Sequence, residues 1–191
     1  MKTVHNAMLP ESCYSKYNTK QIEGIIIHYF SAINVDKERK YDFGTNWNLF
    51  VELNMPEHRG VLLNKNENNG KRYYASAHIL MNRSGDCYKL VPYDKQAYHA
   101  GVSDWKGIHN INSCTYGIEL MGAKDEEYEE VQYEELAKLI IQLWEYCGKT
   151  FPLTREGITG HEDVATPKGR KVDPGPLFDW DKLFGYINII D

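Results

Sequence analysis

The chain has no long apolar run. Its longest unbroken stretches, such as Ile25–Ile27, are a few residues, whereas a helix needs about 20 apolar residues to cross a bilayer, so no membrane insertion is expected. An excess of basic residues is also missing. The formal net charge is −5, and a nucleic-acid binder ordinarily presents a basic face, so no nucleic-acid partner is expected. Cysteine is sparse and scattered: Cys13, Cys87, Cys114 and Cys147 form no C-x-x-C pair, which excludes a zinc ribbon and a dithiol redox motif. Free, mostly buried thiols are the expected state, with two disulfides as the alternative. Met1–Pro10 carries one Lys and no apolar core, so no secretory signal is read there and a cytoplasmic location is expected. The common catalytic signatures are lacking as well: there is no G-x-S-x-G, no P-loop, no G-x-G-x-x-G and no H-E-x-x-H.

What remains is an ordinary globular composition, 42% hydrophobic and 26% charged over 191 residues. That length suits one domain with a sizeable core, taken here as residues 1–191 and monomeric. Ile22–Phe30 is a β-branched run that reads as a buried strand ending at His28 and Tyr29. From Ser31 to Tyr73 the pattern decays into polar, Asn-rich sequence, with an exposed turn expected at Asn64–Gly70 and a short element at Trp47–Leu53; a stretch this long points to a substrate-lining insertion. Ala75–Asn82 and Asp86–Pro92, joined by Arg83-Ser84-Gly85, read as a hairpin. Thr115–Met121 reads as a strand. Leu136, Leu139, Ile140, Leu143 and Trp144 mark one face of a helix over Val131–Cys147, stopped at Gly148. Gly157–His161 reads as a short strand, and Leu177–Ile190 as a closing helix with Asp179 near its start. This order of elements gives an α/β fold: a mixed central sheet flanked by helices.

Seven histidines are present, and His28 and His161 stand at strand ends, rigid places from which to aim ligands. Asp173 precedes Pro174-Gly175, a turn that would fix its backbone. Two His and a carboxylate suit a zinc that keeps one position open, although a single strand histidine is more often a hydrogen-bonded core residue. Glu119 lies within Gly117-Ile118-Glu119-Leu120, so alternation turns it away from Ile118 and Leu120, towards either solvent or a cleft where a carboxylate serves proton transfer. Lys171 is two residues from Asp173: it is a cation for an oxyanion if both face one site, and otherwise a surface lysine in the basic run Lys168–Lys171.

Six segments taken together resemble the amidase-2 family of N-acetylmuramoyl-L-alanine amidases, which includes phage lysozyme-type amidases and animal peptidoglycan recognition proteins. They are Ile25–Tyr29 (IIIHY), Ser76–Gly85 (SAHILMNRSG), Val91–Ser103 (VPYDKQAYHAGVS), Tyr116–Gly122 (YGIELMG), Gly160–Ala165 (GHEDVA) and Gly169–Trp180 (GRKVDPGPLFDW). They run in family order, and the likeness is strongest over residues 22–184. Within the family the chain looks most like the cytosolic amidases that recycle anhydro-muropeptides, with Tyr98 where those carry Trp and a slightly longer loop before Arg170.

The resemblance implies a zinc cofactor (Zn2+) held by His28, His161 and Asp173 in a groove at one sheet face. It implies Glu119 as the catalytic carboxylate and Lys171 as its oxyanion partner. Tyr98, His99 and Arg170 would contact a peptidoglycan or muropeptide substrate, and His78 would be structural. A phage endolysin, reaching the wall only on release or lysis, and a recycling enzyme both fit; the rival reading is an inactive peptidoglycan-binding module.

Overall fold

In the computed structural model, residues 4–9, 11, 14–15, 20–30 and 76–190 are described. The expectations for Asn64–Gly70 and Trp47–Leu53 lie outside them. The expected mixed sheet is present, with six strands among the described residues: β1 (Val4–Asn6), β3 (Gly24–Phe30), β4 (Ile79–Met81), β5 (Cys87–Lys89), β9 (Thr115–Met121) and β10 (Ile158–Gly160). Their order is β1-β5-β4-β9-β3-β10. Only the β4–β5 hairpin is antiparallel; β4, β9, β3 and β10 are parallel neighbours. Two small pairs stand apart from this sheet, β2 (Tyr14–Ser15) with β6 (Gln96–Ala97) and β7 (Asp104–Trp105) with β8 (Ile108–His109).

Alternation sorts the central strands onto two faces. Ile25, Ile27, Ile79, Tyr116, Ile118 and Leu120 are buried on one face, in the main core with helices α1 (Glu130–Tyr146) and α3 (Trp180–Ile190), which pack on each other. Burying an isoleucine side chain fully is worth about 1.5–3 kcal/mol, so the triple-Ile run of β3 anchors the sheet. Ile26 points the other way, into a smaller cluster with Ala100, Ile111, Cys114 and Val164. The second face is thus covered by the 98–115 segment and by α2 (His161–Val164), and it carries His28 and Glu119.

The local signals explain where most elements stop. The hairpin turn is closed by Asn82 and Asp86: the Asp86 N–H donates to Asn82 Oδ1 at 2.8 Å, and Asn82 Nδ2 to Asp86 Oδ2 at 3.0 Å. Helix α1 starts where Gln132 Oε1 reaches back to the Glu129 N–H at 3.0 Å. It ends where Gly148 takes φ 80°, a left-handed conformation that favours glycine. Two boundaries differ from expectation. His161 opens α2 instead of closing a strand, because β10 has finished pairing with β3 at Gly160. The last helix begins at Trp180, since Pro174 and Pro176 keep the preceding chain out of a helix and the Asp179 carboxylate accepts from the Lys182 N–H at 2.9 Å, capping the first turn. Among the described cysteines, Cys87, Cys114 and Cys147 are free, so two disulfides do not form.

Candidate metal centre

The parallel strands β9, β3 and β10 end side by side, and ligands in open α/β sheets gather at the carboxyl ends of such strands. His28 lies near the end of β3. His161 follows β10 directly, because Gly160 pairs with Ile27 and the next residue emerges next to His28. Asp173 comes from the loop beyond α2, held there by main-chain contacts: its carbonyl accepts from the Glu162 N–H at 3.0 Å, and the Pro174 carbonyl accepts from the Tyr128 hydroxyl at 2.8 Å. All three side chains are buried.

Their polar atoms converge. His28 Nδ1 is 3.0 Å from His161 Nδ1, and each is 2.9 Å from Asp173 Oδ2. Ligand atoms of a tetrahedral zinc with bonds near 2.0 Å stand about 3.3 Å apart, so this triangle is a zinc-sized donor set, slightly contracted. The outer edge of His161 gives the same answer. Its Nε2 lies 2.9 Å from the Ala100 carbonyl oxygen, which can only accept, so Nε2 carries a proton and Nδ1 is the ring nitrogen turned inward.

Burial pushes the His28 imidazole down to about 4, against the pull of the Asp173 carboxylate beside it. Burial raises the Asp173 carboxyl, but its contacts with the His161 and His28 imidazoles outweigh that and hold it far below the usual carboxylate range. A neutral imidazole beside an ionised carboxylate is the protonation state a divalent metal requires. The residues present therefore fit a zinc ion.

Glu119 is the register partner of His28 on β9 and faces the same side, with its Oε2 shielded from solvent. Lys171 is exposed, and its charge is felt at His28. The other expected contacts separate. Tyr98 is half-buried, its N–H donating to Ser76 Oγ at 2.9 Å. His99 is buried and stacks edge-on to His28, with Nδ1 at 3.0 Å from His28 Nε2 and Nε2 at 3.3 Å from Thr115 Oγ1. Arg170 commits Nε to the Thr166 carbonyl and Nη2 to those of Ala100 and Val102, at 3.0, 3.0 and 2.7 Å. His78 is fully buried; its Nδ1 accepts from the Gly117 N–H at 3.1 Å and its Nε2 donates to the Lys95 carbonyl at 3.0 Å.

Three supporting residues escaped the sequence reading. Asn112 Oδ1 accepts from the N–H groups of both His99 and Ala100, at 3.0 and 2.8 Å. Thr115 bonds His99, and Gly117 makes room for its ring. A glycine in the middle of a strand marks close approach by another group, and Gly117 carried that signal.

A mixed α/β sheet with a candidate His-His-Asp donor set at its strand ends frames this site, and the chain belongs to the amidase-2 family, N-acetylmuramoyl-L-alanine amidase, whose profile matches residues 18–176. Among its relatives, the protein of Enterobacter cloacae named 1,6-anhydro-N-acetylmuramyl-L-alanine amidase AmpD is 42% identical over 112 residues, 59% of this chain and 57% of that one. AmpD of Escherichia coli K12 is 42% identical over 108 residues, 56% of each chain. The matched stretch thus spans little more than half the length of these relatives. A crystal structure of a selenomethionine derivative of AmpD superposes with a TM-score of 0.73 at 28% identity, over 98% of this chain and 96% of that one.

Proposed function

We propose that this chain is a zinc-dependent amidase that hydrolyses the bond between N-acetylmuramic acid and L-alanine in anhydro-muropeptides, the small fragments of peptidoglycan recycling. The observation that carries the reading is the triangle of His28, His161 and Asp173 with Glu119 in register beside it. The relatives' names supply the substrate class.

His28, His161 and Asp173 would hold the zinc, which would supply Lewis-acid polarisation of the scissile carbonyl and make the attacking water more acidic. Glu119, one strand spacing (about 4.8 Å) from His28, takes a proton from the water that adds to the carbonyl carbon. It returns that proton to the L-alanine nitrogen as the carbon–nitrogen bond breaks, leaving a lactyl carboxylate and a free peptide amine. General acid–base help of this kind is worth about 10²–10⁴ in rate. Lys171 faces the negative charge that grows on the carbonyl oxygen. Tyr98 offers an aromatic surface for the sugar or stem peptide.

The test is incubation of the purified protein with anhydro-muropeptide monomers and, separately, with intact sacculi, each with and without a chelator, the products being identified by mass. Chelator-sensitive cleavage of the monomers alone is the expected result. Release of stem peptides from sacculi would move the reading to a wall-lytic enzyme, and cleavage of neither substrate would move it to a binding module.

A further inference from the structure

His99 lies one layer behind the donor triangle, and the directions of its hydrogen bonds follow from its far end. The Thr115 hydroxyl has one proton, and it donates it to the Ile111 carbonyl at 2.7 Å. Towards His99 the same oxygen can only accept, so His99 Nε2, at 3.3 Å, carries the ring proton. A neutral His99 then presents Nδ1 as an acceptor, and His28 Nε2, at 3.0 Å, must be the donor. That places the His28 proton on the outer nitrogen and leaves Nδ1 as a lone pair directed at His161 Nδ1 and Asp173 Oδ2.

The surroundings hold this relay in place independently. An alanine Cβ at Gly117 would stand 2.5 Å from His99 Cγ, so the ring occupies the space that the glycine leaves open. Asn112 fixes the main chain of His99 through its N–H.

We infer that His99 is a positioning residue of the metal centre, which with Thr115 fixes the tautomer of His28 so that Nδ1 is always the ligand atom. The inference rests on the metal reading proposed above. Outer hydrogen bonds of this type are commonly worth 10–100-fold in metal affinity.

The experiment measures zinc affinity by competition with a chromophoric chelator, and the His28 tautomer by ¹⁵N chemical shifts of the metal-free protein. Wild type should show His28 protonated at Nε2. H99L, which removes the acceptor, should bind zinc 10–100-fold more weakly and show mixed His28 tautomers. H99N, whose amide oxygen restores an acceptor near the same place, should recover most of the affinity. T115V, nearly isosteric, should release the His99 proton and produce a smaller loss in the same direction. Folded H99L with wild-type affinity and an unchanged His28 tautomer would overturn the relay. Should H99L not fold, T115V decides, and an unaltered tautomer with unaltered affinity overturns it equally. Wild-type protein that binds no zinc would remove the metal reading itself, and this inference with it.

Discussion

A single methyl group at Gly117 should disturb both the core and the metal centre. The added Cβ would lie 2.5 Å from His99 Cγ and 2.8 Å from its Nδ1 and Cδ2. Comfortable contact begins near 3.5 Å, so the ring must retreat by roughly 1 Å. The strand cannot yield instead: Gly117 donates to His78 Nδ1, accepts from the His78 N–H, and is paired with Ile26. Retreat lengthens and misaligns the 3.0 Å contact between His28 and His99, to as much as about 4 Å if the ring moves along that line. Overpacking of this kind costs about 1–3 kcal/mol, and at this chain length each kcal/mol lowers Tm by about 2–4 °C. G117A should therefore melt several degrees below wild type in its metal-free form and bind zinc at least several-fold more weakly. Thermal denaturation and the chelator competition read the two effects separately. Wild-type Tm would refute the steric argument; a lowered Tm with wild-type zinc affinity would refute the step from ring displacement to His28.

Three further outcomes are expected. E119Q should keep its zinc, by elemental analysis, while turnover of anhydro-muropeptide falls about 10²–10⁴-fold; near-wild-type turnover would remove Glu119 from the proton-transfer role. D173A should lose zinc on dialysis against a weak chelator, and full occupancy would count against Asp173 as a ligand. His78 makes stability depend on pH: burial lowers its pKa from 6.5 to about 4 in the folded state, so the unfolded chain takes the proton first. The contribution is whole above about pH 6.5 and drains away as pH falls towards 4, amounting to about 2 kcal/mol by pH 5. Urea midpoints at pH 7 and pH 5 should converge between wild type and H78Q by that amount, and parallel losses in the two proteins would exclude His78 as the source.

The elements read most directly from sequence were those whose signals are local. The Ile25–Ile27 run, the Asn82–Asp86 turn and the Leu136–Leu143 stripe stopped at Gly148 each carry their own instruction. The pairing of β10 with β3, and of β1 with β5, joins residues far apart in the chain and leaves no periodic trace. The two-residue strands β2, β6, β7 and β8 are too short to show alternation. At the site, His28, His161 and Asp173 were visible because their residue types are chemically loud and their neighbours match a family. Their supports were not, since an Asn, a Thr and a main-chain carbonyl declare no purpose until the fold brings them within 3 Å or so of an imidazole.

The carbonyl of Ala100 accepts from both His161 and Arg170. Because the acceptor belongs to the main chain, no replacement of the side chain at position 100 can delete it; substitution there is limited only by the space around a fully buried methyl group. The outer hydrogen bond of His161 is thus written into the path of the backbone, and mutation can reach that path through Asn112, which accepts from the Ala100 N–H, and through Arg170, which draws the same carbonyl towards the loop leading to Asp173. Through Arg170 and Thr166, whose N–H donates to the Val102 carbonyl, the segment that aims the histidines and the loop that delivers the carboxylate are tied into one frame.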